Sequence, residues 1–259
     1  MRQSLFALGI IAPLAVTACS DGSGPSNAGQ VTLSLSTRAG ALASVAGDGP
    51  ALAANETYND GTNTLVFTRV QMVFREIELE TADGQCSDDS DHRSNRSNDD
   101  DESCPEIEFG PYLADLPLGE NGAQRALSVP VPPGTYSEFE FDVHKPSRSD
   151  DAAFIAANPD FDEVSIRAEG TYNGQPFTFT TDLEEEIEQD LVPPLVVDST
   201  ATANLTINLD IGSWFRGTNG QLFNPASANK GGPNESRAKT NIQNSIEAFE
   251  DDDRDGEDD

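Results

Sequence analysis

The sequence predicts a mainly β protein, an antiparallel β-sandwich of about eight or nine strands with one short C-terminal helix. Apolar residues alternate with polar ones in several runs, as in strands that bury one face. Turn signals separate these runs, and the clearest is Asn173-Gly174, since both residues tolerate the positive φ of a tight hairpin. The runs are short and numerous, which favours a sandwich over other folds.

The strand pattern begins with Val31, Leu33 and Leu35, which alternate with polar residues. A long segment, TLVFTRVQMVFREIELE, then carries strand-forming residues throughout. Its alternation shifts phase between Phe74 and Ile77, and a β-bulge or a strand break explains such a shift.

The later strands keep the period of two. Further alternating runs lie at 127–131, 139–143, 164–168, 177–179 and 205–211. The PPGT turn joins the first two of these runs. The surrounding VPPGTYSEFEFDV resembles the proline-glycine-tyrosine turn of prealbumin-like and carboxypeptidase-regulatory-like domains, and this resemblance also implies a β-sandwich.

One amphipathic helix is expected over residues 234–249, within NESRAKTNIQNSIEAFEDD. Ala238, Ile242, Ile246 and Phe249 fall on one helical face, at spacings of four, four and three. Asn234 is suited to cap the start of this helix. Because the polar face is not basic, the sequence favours packing on the sandwich over binding to a membrane.

The N-terminus has the pattern of a secretion signal, with Arg2 followed by an apolar run that is too short to span a bilayer. The run ends in Val16-Thr17-Ala18-Cys19, which resembles the lipobox of bacterial lipoproteins. The resemblance implies cleavage before Cys19 and diacylation of this cysteine. The alternative is an ordinary signal peptide in which the cysteine occurs by chance.

These features divide the chain into five parts. They are a signal peptide (1–18), a lipidated cysteine with a flexible tether (19–30), a sandwich domain (31–233) with an acidic insert (86–104), the helix (234–249) and an acidic tail (250–259). Ser20 follows the cysteine where lipoproteins of the inner membrane often carry Asp, so the resemblance favours the outer membrane. In an exported protein, Cys86 and Cys104 are expected to form a disulfide, and two free thiols are the alternative.

The chain is strongly acidic, with 46 Asp and Glu residues against 15 Lys and Arg and a net charge of -31. Its field repels phosphate groups, which excludes nucleic-acid binding. Partners in the envelope are then expected to be cationic molecules, carbohydrate or protein, besides the membrane that holds the lipid anchor. Solubility in a salty medium is an alternative reason for the charge.

The sequence contains no recognisable catalytic motif. His144, at the end of a predicted strand, is interpreted as an exposed surface residue. The EEEIEQD run at 184–190 is interpreted as a solvated face, and paired carboxylates for glycosidase chemistry are the alternative. Aromatic residues exposed on a sandwich can bind sugar, although each is more often packed in a core or a turn. The aromatic candidates are Tyr58, Tyr112, Tyr136, Tyr172 and Trp214.

The tail FEDDDRDGEDD is the first candidate for calcium binding, because hard cations take several carboxylate oxygens. Its D-x-D-x-D-G spacing resembles EF-hand and dockerin-type loops, with the helix at 234–249 in place of their incoming helix. The resemblance implies these ligands: Asp251, Asp253, Asp255, Glu257 and Asp259. The chain lacks the bidentate glutamate at position twelve, and a solvated acidic tail is the alternative.

A second acidic segment, residues 99–102 within the insert, offers the same type of ligand. The insert has almost no apolar residues, so a disordered loop above a disulfide is the alternative. Taken together, the sequence favours a non-enzymatic, lipid-anchored binding or structural module of the cell envelope. The competing hypothesis is an envelope hydrolase whose site is assembled from residues distant in sequence.

Overall fold

A computed structural model describes residues 28–37, 55–81, 106–107, 110–119, 124–199 and 202–251. Within them the chain forms twelve strands and two α-helices. The strands are β1 (Gly29–Ser36), β2 (Glu56–Asn59), β3 (Thr64–Thr81), β4 (Glu106–Ile107), β5 (Tyr112–Asp115), β6 (Gln124–Val131), β7 (Gly134–Val143), β8 (Ile166–Tyr172), β9 (Gln175–Thr181), β10 (Glu185–Val197), β11 (Thr202–Leu209) and β12 (Ile246–Glu250). The helices are α1 (Ala152–Ala157) and α2 (Glu235–Gln243), with 3-10 turns at Pro159–Phe161 and Pro225–Ala228.

The strands form two sheets, and the predicted mainly β sandwich is confirmed. The small sheet has the order β12-β11-β1-β6, and the large sheet has the path β10-β7-β3-β8-β9. Three short strands, β2, β4 and β5, also pair with β3, which raises the strand count above the expected eight or nine. The pairing of β1 with β11 is parallel, so the small sheet is mixed rather than purely antiparallel.

The long strand β3 contains the bulge that the sequence predicts. Glu76 has a φ of 60°, and the register with β7 shifts between Arg75 and Ile77. In a regular strand, Phe74 and Ile77 would point to opposite faces, but the extra residue of the bulge lets both side chains enter the core. The local sequence pattern is therefore sufficient to locate this irregularity.

The hairpin between β8 and β9 also forms as predicted. Asn173 and Gly174 have φ values of 51° and 76°, as the two central residues of a type I′ turn require. Asn173 ties the turn to the start of β3, because its backbone N–H donates to the carbonyl of Thr64 at 2.8 Å. The hairpin therefore lies at the end of the large sheet where β3 begins.

The predicted helix at 234–249 is correct in its first part and wrong in its second. The helix α2 ends at Gln243, and the chain continues as β12 along the edge of the small sheet. Ile246 and Ala248 are both buried, so the apolar residues there fit a period of two as well as a helical period. The first strand begins at Gly29, inside the segment 19–30 expected to be tether.

The core lies between the two sheets and is closed by an aromatic cluster after β11. Trp214 and Phe215 are fully buried, and Phe215 makes an edge-to-face contact with Phe179 at 4.9 Å between ring centroids. The indole N–H of Trp214 donates to Ser245 Oγ at 2.8 Å, which fixes the turn before β12. A small apolar cavity of about 10 Å³ remains between the sheets, beside Leu33.

The aromatic candidates for sugar binding are packing residues. Tyr136 and Trp214 are buried. Tyr58, Tyr112 and Tyr172 are partly buried and pack against the same core. The structure therefore assigns these five side chains to the fold, in agreement with the more common role of such aromatics.

Candidate functional site

The outer surface of the large sheet is covered with carboxylates where β3, β7 and β10 lie side by side. Phe139 and Phe141 of β7 are buried, so the residues that alternate with them point outward. The same alternation places acids on the outer side of β3 and β10. We refer to eight residues as the acidic face: Glu78, Glu80, Glu138, Glu140, Asp142, Glu186, Glu188 and Asp190.

The strand register places these acids directly opposite one another. Glu140 of β7 is the Cα partner of Glu78 on β3 and of Glu188 on β10. Glu138 stands in the same way between Glu80 and Asp190. Like charges at directly opposed positions destabilise a sheet, so this arrangement opposes the stability of the fold.

Three carboxylates converge at the centre of the acidic face. Glu140, Glu186 and Glu188 each place one carboxylate oxygen within 4.8 Å of the other two. Because Ca²⁺ binds oxygens at ~2.3 to 2.6 Å, two ligands of one ion are at most ~5 Å apart. The three oxygens therefore fit a single calcium ion, with exposed Glu186 and Glu188 leaving room for further ligands from solvent.

The environment of Glu140 makes it difficult to ionise. Burial raises the pKa of this carboxyl, and the negative charges of Glu78, Glu186 and Glu188 raise it further, to about 8. The pKa of the neighbouring Asp142 is also raised by burial, although the guanidinium of Arg75 offsets part of the effect. A bound cation would reverse these repulsions, because it stabilises the ionised form of every ligand carboxylate.

Positive charge reaches the acidic face at one side. Arg75 lies 3.8 Å from Glu76 and 3.4 Å from Asp142, each measured from Nη2 to a carboxylate oxygen. In the part of the chain that the structure describes, no Lys or Arg forms an ion pair with the three central glutamates. The centre of the face is therefore the region where a cation would relieve the most repulsion.

The calcium ligands expected from the tail are described only in part. Asp251 is fully buried, and its Oδ2 accepts a hydrogen bond from Thr206 Oγ1 at 2.9 Å. The strand β12 directly precedes it, so the incoming helix of an EF-hand or dockerin-type loop is not formed. The other four expected ligands lie outside the described residues: Asp253, Asp255, Glu257 and Asp259.

The remaining sites expected from the sequence also lie outside the described residues. These are the lipidation site Cys19, the two cysteines Cys86 and Cys104 expected to form a disulfide, and the acidic segment 99–102 of the insert.

His144 is buried, which corrects its interpretation as an exposed residue. Its Nε2 lies 2.9 Å from Asp151 Oδ2, and the two side chains are 5% and 7% exposed. The same oxygen of Asp151 accepts the backbone N–H of Ser147 at 3.0 Å. The pair therefore holds the loop between β7 and α1 in place. His144 is buried because it continues the sheet beyond β7, where its backbone N–H donates to the carbonyl of Val73 on β3 at 2.9 Å.

The sequence singled out two of the three central glutamates of the acidic face but not Glu140. The run at 184–190 contributes Glu186 and Glu188, which the sequence assigned to a solvated face. Glu140 was missed, although the SEFEFDV segment alternates acids with buried apolar residues. Acids at alternate positions of three separate strands are the signal that predicts such a face, once the strands are known to be neighbours.

Comparison with known proteins identifies no relative. No protein-family model matches the chain, and neither a curated protein nor a solved structure is significantly similar to it. Within the described residues, neither helix has the length and apolar character needed to cross a bilayer. The geometry of the site therefore carries the functional argument.

Proposed function

We propose that the protein is a non-enzymatic, lipid-anchored module of the cell envelope whose acidic face binds a cation, with Ca²⁺ as the favoured ligand. The observation that carries this proposal is the convergence of Glu140, Glu186 and Glu188, whose oxygens are within 4.8 Å of one another. Oxygen ligands at this spacing suit a hard divalent cation. The proposed role is the capture of calcium, or of a partner that presents positive charge.

The energetic cost of the acidic face supports a role in binding. Five directly opposed pairs of acids, two between β3 and β7 and three between β7 and β10, each oppose the pairing of the strands. Solubility requires negative charge on the surface but does not require acids to face each other across strands. A ligand that neutralises the central acids provides a reason for this arrangement.

The envelope location rests on the N-terminal pattern. The lipobox-like Val16-Thr17-Ala18-Cys19 supports a lipid anchor, and Ser20 supports the outer membrane. Two or three acyl chains hold a protein on a bilayer far more firmly than one. The membrane is therefore the first partner in this proposal, and the strongly negative charge excludes nucleic acid as another.

An envelope hydrolase is the second candidate, and one observation favours it. Glu140, with a pKa raised to about 8 by burial and by its acidic neighbours, can hold a proton near neutral pH beside other carboxylates. A protonated acid next to an ionised one is the arrangement used by glycosidases. The exposure of Glu186 and Glu188 on the outer surface of the sheet argues against a hydrolase site. Loss of hydrolysis of envelope glycans in Glu140→Gln would favour this candidate.

Calcium titration calorimetry on the full chain tests the proposal. The wild-type protein is compared with a face variant, Glu140→Gln/Glu186→Gln/Glu188→Gln, and with a tail variant, Asp253→Asn/Asp255→Asn. We expect a dissociation constant of ~0.1 to 1 mM, the range of extracellular calcium modules. Binding is expected to be lost in the face variant and retained in the tail variant.

The two variants separate the possible outcomes. Loss of calcium binding in the tail variant alone would move the site to the tail. Equal responses in all three proteins would show that neither set of acids binds calcium specifically. Circular dichroism of each variant gives the control for folding.

A further inference from the structure

One end of the sandwich carries an exposed apolar surface. Within the described residues, two large hydrophobic side chains are exposed, Val192 at 78% and Val196 at 62%. Both lie on β10, which is an edge strand of the large sheet. Exposed prolines extend the surface on β10 and on the turn between β6 and β7. We refer to six residues as the apolar end: Pro132, Pro133, Val192, Pro193, Pro194 and Val196.

The apolar end is continuous because β7 and β10 are paired there. Val196 is the partner of Thr135, and Val197 is the partner of Gly134, which directly follows the exposed Pro133. The hydroxyl of Tyr136 donates to the carbonyl of Pro132 at 2.8 Å, which holds the turn against the sheet. The residues of the apolar end are therefore held by packed strands.

The N-terminal segment enters the domain beside the apolar end. A side chain on Gly29, the first residue of β1, would lie 2.5 Å from the carbonyl oxygen of Asp198 and 2.5 Å from Cγ1 of Val197. The backbone of Gly29 therefore touches the two residues that follow Val196. Any anchor upstream of Gly29 pulls this end of the molecule towards it.

The length of the tether determines which end can face the anchor. The ten residues from Cys19 to Ala28 can reach at most ~35 Å, the length of a fully extended chain. The 18-residue strand β3 is ~60 Å long. Its last residue, Thr81, pairs with Tyr136 next to the apolar end, and its first residue, Thr64, contacts the β8–β9 hairpin. The hairpin is therefore beyond the reach of a short tether.

We infer that the apolar end of the sandwich contacts the bilayer that holds the acyl chains of Cys19. The acidic face then extends away from the membrane surface. The inference rests on the lipid anchor of the proposed function. Val192 and Val196 are suited to the acyl boundary of a lipid surface. Asp190 and Asp198 flank them and repel anionic headgroups, so the surface fits a neutral or zwitterionic lipid.

Fluorescence quenching by brominated lipid tests this orientation. The full chain is expressed with its signal so that Cys19 is processed, and it is incorporated into phosphatidylcholine vesicles with or without bromine on the acyl chains. Val192→Trp places a reporter at the apolar end. Gln175→Trp is the matched control, since Gln175 is exposed in the hairpin at the opposite end of β3. The buried Trp214 gives a constant background in every protein.

We expect bromine to reduce the added fluorescence of Val192→Trp at least twofold and to leave that of Gln175→Trp unchanged. A Val192→Trp protein that floats with the vesicles but shows no quenching of its reporter would overturn the orientation. The apolar end would then have another occupant, such as a second copy of the chain or the segment 82–105. Protein that does not float at all would overturn the lipid anchor, and with it both the proposed location and this inference.

Discussion

Two regions of the large sheet treat negative charge in opposite ways. In the loops around β8 and β9, acids are matched with cations: Asp182 accepts from Lys239 Nζ at 2.5 Å and lies 2.8 Å from Lys230 Nζ. On the acidic face, Glu140 is opposed on both sides by other glutamates. The matched acids stabilise the fold without any ligand, whereas no Lys or Arg of the described residues forms an ion pair with the three central glutamates of the face.

The pKa values of the two regions differ accordingly. Hydrogen bonds from Lys230 and Lys239 hold the pKa of Asp182 well below its usual range. Burial and neighbouring acids raise the pKa of Glu140 to about 8. The difference shows that an acidic composition alone does not identify a binding surface, because many acids in this chain are matched within the fold. The proposed cation site therefore rests on the geometry of Glu140, Glu186 and Glu188 rather than on the acidic composition.

The largest loss of unfolding free energy is expected for Asp151, the buried acid that pairs with His144. Asp151→Ala removes the partner of His144 and the acceptor of the Ser147 backbone N–H. Leaving these buried groups without a partner costs about 3 kcal/mol of unfolding free energy. Urea denaturation measures this loss. Asp150→Ala, at the neighbouring exposed position, is the control. Similar urea midpoints for the two variants would show that the buried pair stabilises the fold no more than the exposed Asp150 does.

A smaller loss is expected when Asp182 loses one of its two lysines. Lys239→Met is expected to lower the unfolding free energy by about 1 kcal/mol, since the ion pair is partly exposed. Lys230→Met should have less effect, because its side chain is 77% exposed whereas that of Lys239 is 28% exposed. Urea midpoints of the two variants check the order. Equal midpoints would contradict the idea that burial decides the strength of these pairs.

Removing a carboxylate from the acidic face is expected to raise the unfolding free energy, whereas the two preceding changes lower it. Glu140→Gln removes the like-charge repulsion of two opposed pairs, with Glu78 and with Glu188, and should raise the unfolding free energy at pH 8.5 by at least about 1 kcal/mol. The pKa of Glu140 is raised from 4.5 to about 8 on folding. The folded state therefore binds more protons, and the stabilisation by protonation is complete below pH 4.5 and lost as the pH rises to about 8.

The pH dependence of urea unfolding measures this effect. Wild-type stability should fall between pH 5 and pH 8.5 more steeply than that of Glu140→Gln. Glu247→Gln, at an exposed position of β12 in the other sheet, is the control for the loss of one carboxylate from the surface. A Glu140→Gln protein with the same slope as the wild type would show that Glu140 titrates normally.

The sequence predicts the features that depend on neighbouring residues and misses those that depend on strand pairing. The bulge at Glu76 and the turn at Asn173-Gly174 depend on neighbouring residues, so the local pattern predicts both. The sequence predicts a helix where β12 forms, because the few apolar residues there fit both periods, and the pairing with β11 decides between them. The cluster of Glu140 with Glu188 depends on strand register, which one sequence does not contain.

The measurement that tests the central claim most directly is a carboxyl-carbon NMR titration of Glu140, with and without Ca²⁺. Without calcium, we predict a pKa of about 8. With saturating calcium, we predict that the pKa falls by more than one unit, because the ion stabilises the carboxylate. A pKa near the ordinary value of 4.5 under both conditions would contradict the claim that the centre of the acidic face is a region of mutual repulsion that a cation relieves.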